Sequence, residues 1–183
     1  MTDIRNIILI GRTENGKSTL ANVLINSNEF MESAGSISET RKIQIKEFEE
    51  TIDTSGDQVI KYRVIDTVGL GDTGLIEKEV LYKVTEASHY IREGLNQILF
   101  VTNGRFTLIL LGYLNLSFLT KGLPNTPPSI IHVNNSSLKG RSAATNRDIR
   151  EESRKRLLIY LTTCQGIYKP ENLDAMMIEL VVI

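Results

Sequence analysis

The sequence has almost no thiol or imidazole to work with. Cys164 is its one cysteine, so no disulfide can form within the chain, and with only His89 and His132 beside it no zinc site of the usual Cys/His type can be assembled. A reducing compartment, the cytoplasm, is the expectation. An excess of charge of one sign is missing too. Lys+Arg 21 against Asp+Glu 22 leaves a net charge of -1, which excludes the broad basic face that non-specific nucleic-acid binding needs, so nucleic acid is not expected as a partner. Long apolar runs are also lacking. The most apolar later stretch, residues 106–119, is interrupted by Thr107, Gly112 and Asn115 and is shorter than the roughly 20 residues that span a bilayer, so no membrane segment is expected. The opening MTDIRNIILI passes into a glycine turn with no small-residue cleavage site and reads as a first strand, not a signal peptide. No internal repeat or low-complexity segment is found. What remains, 183 residues with 41% hydrophobic and 23% charged, has the composition of one soluble domain with a real core.

Along the chain, residues 4–10 form a near-continuous apolar run rich in isoleucine, the pattern of a parallel strand buried on both faces. Residues 17–26 then place Leu20, Val23 and Leu24 at helical spacing, and residues 27–39, poor in apolar side chains, read as a long exposed loop. Residues 42–48 and 59–65 alternate apolar and polar around the turn-forming Asp53-Thr54-Ser55-Gly56-Asp57, which predicts an antiparallel hairpin. After a glycine- and aspartate-rich stretch from Asp66 to Gly74, residues 76–91 suit a surface helix and residues 98–101 a buried strand. Pro124, Pro127 and Pro128 break the next region. Residues 129–133 read as a short strand, and residues 148–161 as a last helix whose Arg150, Glu151, Glu152, Arg154, Lys155 and Arg156 form a solvent face opposite Ile149, Leu157, Leu158 and Leu161. Strands alternating with helices predict an α/β fold, a mostly parallel sheet with one antiparallel edge strand.

One segment carries specific chemistry. Gly11-Arg12-Thr13-Glu14-Asn15-Gly16-Lys17-Ser18 fits G-x-x-x-x-G-K-[ST], the phosphate-binding P-loop, set between the predicted first strand and first helix. Its glycines let backbone N–H groups wrap a phosphate, the helix that follows offers its positive end, Lys17 adds a point charge on the β- and γ-phosphates, and Ser18 offers a hydroxyl to Mg²⁺. The expected cofactor-binding set from this loop is Gly11, Thr13, Glu14, Asn15, Gly16, Lys17, Ser18 and Thr19. Asp66-Thr67-Val68-Gly69 at the end of the second hairpin strand supplies the other half of such a site: an aspartate for the metal and a glycine N–H for the γ-phosphate. Thr40, ahead of Ile43, is the candidate for a second hydroxyl on Mg²⁺, with Ser36, Ser38 and Thr51 as rivals.

Taken in order, the P-loop, Thr40, Asp66-Thr67-Val68-Gly69-Leu70 and Ile98-Leu99-Phe100-Val101-Thr102-Asn103-Gly104-Arg105-Phe106 resemble the AIG1-type GTPases, also called the GIMAP or IAN family. The last stretch is similar to that family's own box, an apolar strand followed by Gly-Arg-aromatic, which ordinary small GTPases lack. The resemblance covers residues 4–106 and resumes at 128–135, where Asn134 and Asn135 are similar to the family's Asn-Asn pair beside the guanine. It implies a P-loop GTPase-like sheet that binds GTP or GDP with Mg²⁺. Ser18, Thr40 and Asp66 would serve the metal, Gly69 would sense the γ-phosphate, and Arg105 could act as an arginine finger across a nucleotide-dependent homodimer or be a solvated strand-end residue.

Two departures from the family stand out. Only 21 residues, 107–127, lie between the two matching parts, where the family has a helix, a strand and a base-reading T/N-x-x-D; Thr120-Lys121-Gly122-Leu123 is the nearest imitation and has no Asp. The expectation is a G domain over residues 1–164, atypical at 107–127 and with a sheet incomplete after residue 106, followed by a tail at 165–183. Loss of that carboxylate predicts weaker discrimination of GTP from ATP. Leu70 stands where Ras-like enzymes place a water-orienting glutamine, which predicts slow hydrolysis. The sequence therefore reads as a guanine-nucleotide-binding switch with slow, dimer-assisted hydrolysis. The alternatives are a nucleotide-dependent assembly scaffold without significant turnover and a truncated inactive product.

Overall fold

In the computed structural model, which describes residues 4–32, 42–52, 58–69, 86–87, 89–91, 94–101 and 143–163, the isoleucine-rich strand β1 (Ile4–Ile10) lies inside a four-stranded sheet. Helix α1 (Lys17–Ile25) follows it, then strands β2 (Gln44–Ile52), β3 (Gln58–Asp66) and β4 (Gln97–Phe100), and finally helix α2 (Ala143–Thr163). The sheet order is β2-β3-β1-β4. Strand β1 pairs in parallel with β3 on one side and with β4 on the other, while β2 runs antiparallel to β3 at the edge. The predicted mixed sheet, mostly parallel with one antiparallel edge strand, is what the described residues form.

The unbroken apolar run of β1 has a simple cause: both faces of the sheet are covered. Ile7 and Leu9 point to one side, into a core with Tyr62 and Val64 of β3, Leu20, Ala21, Val23 and Leu24 of α1, Phe30, Val101, and Leu157 and Leu161 of α2. Ile8 and Ile10 point to the other, where they meet Ile65, Ala87, Ile91 and Leu95. Each such side chain contributes roughly 1.5–3 kcal/mol relative to leaving it in water, so two-sided burial makes β1 the best-anchored strand of the sheet.

Strand β2 is held to β3 by a continuous antiparallel ladder and by side chains across it. Phe48 lies opposite Tyr62 in register, and their rings stack with centroids 5.1 Å apart. Arg5 lies over the Tyr62 ring at 5.9 Å and Arg154 over the Phe48 ring at 5.8 Å. The same guanidinium groups close helix ends: Arg5 Nη1 donates to the Leu161 carbonyl and Arg154 Nε to the Leu24 carbonyl, both at 3.0 Å, which places cations at the negative C-terminal ends of α2 and α1.

Four expectations need correction. Helix α2 starts at Ala143, not 148, and its basic residues are not all a solvent face: Arg150 is buried, and Arg154 is largely covered and paired with Glu50. Both reach acids on other elements, which helical periodicity cannot reveal. The loop after α1 is not wholly exposed, because Phe30 is buried in the core, fastened by its N–H to Asn22 Oδ1 at 2.8 Å. The hairpin strands are longer than expected, with β2 continuing to Ile52 opposite Gln58. Of the helix expected at 76–91, residues 86 and 87 are helical, but residues 89 and 90 form a turn and residue 91 lies outside any helix, so the helical stretch does not reach 91 as expected. The strand expected at 129–133, the short segment 107–127 and the tail at 165–183 lie outside the described residues. Among the described residues no helix is long and apolar enough to cross a membrane.

Candidate functional site

The site forms where β1 gives way to α1. Gly11 lies so close to the end of β4 that a Cβ there would fall 2.3 Å from the Val101 carbonyl oxygen. Around it, Val101 N–H donates to the Ile10 carbonyl at 2.7 Å and Asn15 Nδ2 to the Val101 carbonyl at 3.1 Å, so the loop is pinned at both ends to one strand terminus. Between the pins the backbone turns through left-handed conformations at Glu14 (φ 69°) and Gly16 (φ 81°). Gly16 meets this requirement at no steric cost; Glu14 does not. Helix α1 begins at Lys17 with Gly16 as its N-cap and no side-chain cap hydrogen bond there. Uncapped amides at a helix start, next to a loop that turns through left-handed backbone, suit an anion.

Lys17 is buried at this helix start and donates from Nζ to the Arg12 carbonyl at 3.0 Å. Burial pushes its pKa below the ordinary lysine value, and the negative charge of Asp66 partly restores it. Ser18 Oγ donates to Asp66 Oδ2 at 2.6 Å. Asp66, at the C-terminal end of β3, is itself buried, and burial raises its pKa against the opposing effects of the Ser18 hydrogen bond and of Lys17. Its second oxygen, Oδ1, is buried with no hydrogen-bond partner among the described residues.

Two further contacts complete the wall. Thr67 Oγ1 donates to the Leu9 carbonyl at 2.8 Å, which ties the segment after β3 to the end of β1. Gly69 then comes against the P-loop so tightly that a Cβ would lie 2.3 Å from Thr13 Oγ1 and 2.7 Å from the Thr13 N and Cα. The structure thus brings Gly11, Thr13, Asn15, Gly16, Lys17, Ser18, Asp66 and Gly69 into one place, with Glu14 exposed on the loop and Thr19 directly behind it on α1. Thr40, Leu70, Arg105, Asn134 and Asn135 lie outside the described residues. Sequence reasoning missed Thr67 as an anchor, and it missed Asn22, Glu32 and Arg150, which meet beside Thr19. Asn22, an amide inside the apolar register of α1, was the available signal.

The residues present fit a phosphate chain with a divalent cation. An orphaned carboxylate oxygen next to a serine hydroxyl offers hard oxygen donors of the kind Mg²⁺ accepts, and a desolvated lysine beside uncapped amides suits the phosphates. A mostly parallel α/β sheet whose first strand runs through this loop into a helix, with an acid at the end of the neighbouring strand, defines a P-loop nucleotide-binding protein of GTPase type. The model of the AIG1 family matches residues 5–108, more than half of the sequence, and the chain belongs to that family.

Among solved structures the chain is similar to Toc33 from Arabidopsis thaliana. A dimerization-deficient mutant of that protein shows 14% identity and a TM-score of 0.45 over 95% of this chain and 68% of the other. Toc33 in complex with GDP and Mg²⁺ gives 14% and 0.42 over 85% and 64%. The SRb-GTP/SRX complex from Chaetomium thermophilum gives 15% and 0.38 over 67% and 64%. The chain therefore spans about two thirds of the length of the structures it matches.

Proposed function

We propose that this protein is a guanine-nucleotide-binding switch that takes GTP or GDP with Mg²⁺ and hydrolyses GTP slowly. The observation that carries the reading is the pairing of Ser18 Oγ with Asp66 at 2.6 Å beside the buried Lys17, with Asp66 Oδ1 unpartnered among the described residues at the uncapped start of α1. Membership of the AIG1 family supports guanine as the base. The G domain is assigned to residues 1–164 and a tail to 165–183.

The roles follow from the chain's own groups. Backbone N–H groups of the loop from Gly11 through Thr19 hold phosphate oxygens, with Thr13, Glu14 and Asn15 shaping the turn. Lys17 exchanges its bond to the Arg12 carbonyl for phosphate oxygens, which relieves the cost of burying its charge. Ser18, Asp66 and Thr40 hold the metal, which when bound supplies positive charge to the β- and γ-phosphate oxygens. Gly69, already against Thr13, reports on the γ-phosphate, and Asn134 and Asn135 flank the base. Leu70 supplies no amide to orient water, so turnover is slow, and Arg105 delivered from a second copy in a nucleotide-dependent homodimer is the residue assigned to transition-state charge.

A second reading, a nucleotide-dependent assembly scaffold without significant turnover, is favoured by the same Leu70 and by the absence of an acidic residue from 107–127. Titration of the purified chain with fluorescent GTP and ATP, with Mg²⁺ and in chelator, tests the assignment. Tight Mg²⁺-dependent binding that GDP competes away is expected, with a GTP preference below about a thousandfold because the base-reading carboxylate is missing. Turnover that rises with protein concentration and is flattened in Arg105→Ala separates the enzyme from the scaffold. Absence of guanine-nucleotide binding overturns both readings.

A further inference from the structure

A connected polar cluster outside the phosphate cradle lies one turn along α1, and its hub is Glu32. Glu32 Oε1 accepts from Asn22 Nδ2 at 2.9 Å and Oε2 from Thr19 Oγ1 at 3.2 Å. Arg150 of α2 brings its fork to both oxygens, Nη1 to Oε1 at 3.3 Å and Nη2 to Oε2 at 3.4 Å. Asn22 and Arg150 are both more than nine-tenths buried, and Asn22 also clamps both polar groups of the Phe30 backbone, donating to its carbonyl at 2.9 Å and accepting from its N–H at 2.8 Å. Burial works to raise the Glu32 pKa, but the hydrogen bonds from Asn22, Arg150 and Thr19 outweigh it and hold the carboxyl below its ordinary value.

The location of this hub gives it a role beyond holding the fold together. Thr19 directly follows Ser18, and Thr19 and Asn22 are three residues apart, on one face of α1. Glu32 lies on the segment that leads to Thr40. We propose that Glu32 is a positioning residue that fastens the phosphate end of α1 and the root of the Thr40 segment to Arg150, so that helix α2 is coupled to triphosphate binding. This inference rests on the guanine-nucleotide reading of the site. Because Thr40 is assigned to the metal and the γ-phosphate, loosening the hub weakens the triphosphate complex more than the diphosphate complex.

Helix α2 carries its own control. Arg154, four residues after Arg150, also ties α2 to α1, but at the far end of α1, at the Leu24 carbonyl, and to Glu50 of β2. A purely structural role predicts the same behaviour for both arginines; positioning predicts a split. The experiment measures dissociation of a fluorescent GDP and a fluorescent non-hydrolysable GTP analogue from the full chain in Mg²⁺, with thermal melts, for wild type, Glu32→Gln, Arg150→Gln, Arg150→Lys and Arg154→Gln.

Glu32→Gln and Arg150→Gln are expected to release the triphosphate analogue about five- to tenfold faster, within the range of ordinary coupling between sites, and GDP less than about twofold faster. Arg150→Lys, which keeps the charge and loses the fork, falls between them and wild type. Arg154→Gln is expected to melt lower while keeping both rates near wild type. Equal acceleration of both nucleotides, rates that follow melting temperature across all variants, or no change in rate overturns the proposal. If Arg150→Gln does not fold, Glu32→Gln and Arg150→Lys decide by the same criterion. A wild type that retains neither nucleotide overturns the functional reading itself, and this inference with it.

Discussion

Gly69→Ala offers a demanding test of how the two halves of the site fit together. The methyl group would sit 2.3 Å from Thr13 Oγ1, which a rotation about χ1 can relieve, but also 2.7 Å from the Thr13 N and Cα, which it cannot. Ordinary contact begins near 3.4 Å, so backbone must separate from backbone by about 0.7 Å. Gly69 is not among the residues with positive φ, so no conformational strain adds to this and the effect is steric alone. Overpacking of this kind costs about 1–3 kcal/mol, or a melting temperature lowered by about 3–10 °C in a chain of this length. The displaced wall is also the one assigned to the γ-phosphate, so affinity for a GTP analogue should fall by at least about tenfold while GDP affinity stays within about threefold. Calorimetry and nucleotide titration measure both, and Thr13→Ala in the same background separates the causes. Removing Oγ1 should not restore stability, since the backbone contacts remain. A Gly69→Ala protein that melts within about 1 °C of wild type, or full rescue by Thr13→Ala, would refute the close approach of the two backbones.

Three other outcomes follow from the site. Lys17→Met should abolish nucleotide binding and yet raise the melting temperature of the nucleotide-free protein at neutral pH, because a buried ammonium with a lowered pKa is an unfavourable charge; a lower melting temperature would contradict this. The pKa of Asp66 is raised by burial, so its favourable contribution belongs to the protonated form, complete below the ordinary value of 3.8 and lost as pH rises through the raised one. Asp66→Asn should accordingly melt higher than wild type without Mg²⁺ at neutral pH, the gap closing as the pH is lowered toward 3.8, and a gap that does not depend on pH would count against burial as the cause. Glu14→Gly should stabilise the protein by about 1 kcal/mol, because it frees a left-handed position from a side chain, and should tighten triphosphate binding by removing a negative charge from the loop; equilibrium unfolding and titration check the two effects separately.

Local pattern and tertiary packing determined different parts of this protein. The isoleucine run, the spacing G-x-x-x-x-G-K-[ST] and Asp66-x-x-Gly69 are short-range signals whose meaning depends on a strand, a turn and a helix in succession, and these made the sheet, the P-loop and the acid at the end of β3 legible in the sequence alone. That Asp66 meets Ser18 and keeps its other oxygen unpartnered among the described residues, and that Gly69 rests on Thr13, are outcomes of β3 and β1 lying side by side, which no local window contains. Arg150 shows the difference most plainly. On the helix it is one charge among many and reads as solvent face; in the fold it is buried and pairs with Glu32, 118 residues away in the chain, where α1 and α2 pack together. Periodicity reports which face of a helix is apolar, whereas the pairing of two distant charges depends on which helices become neighbours, and that is decided only when the whole core closes.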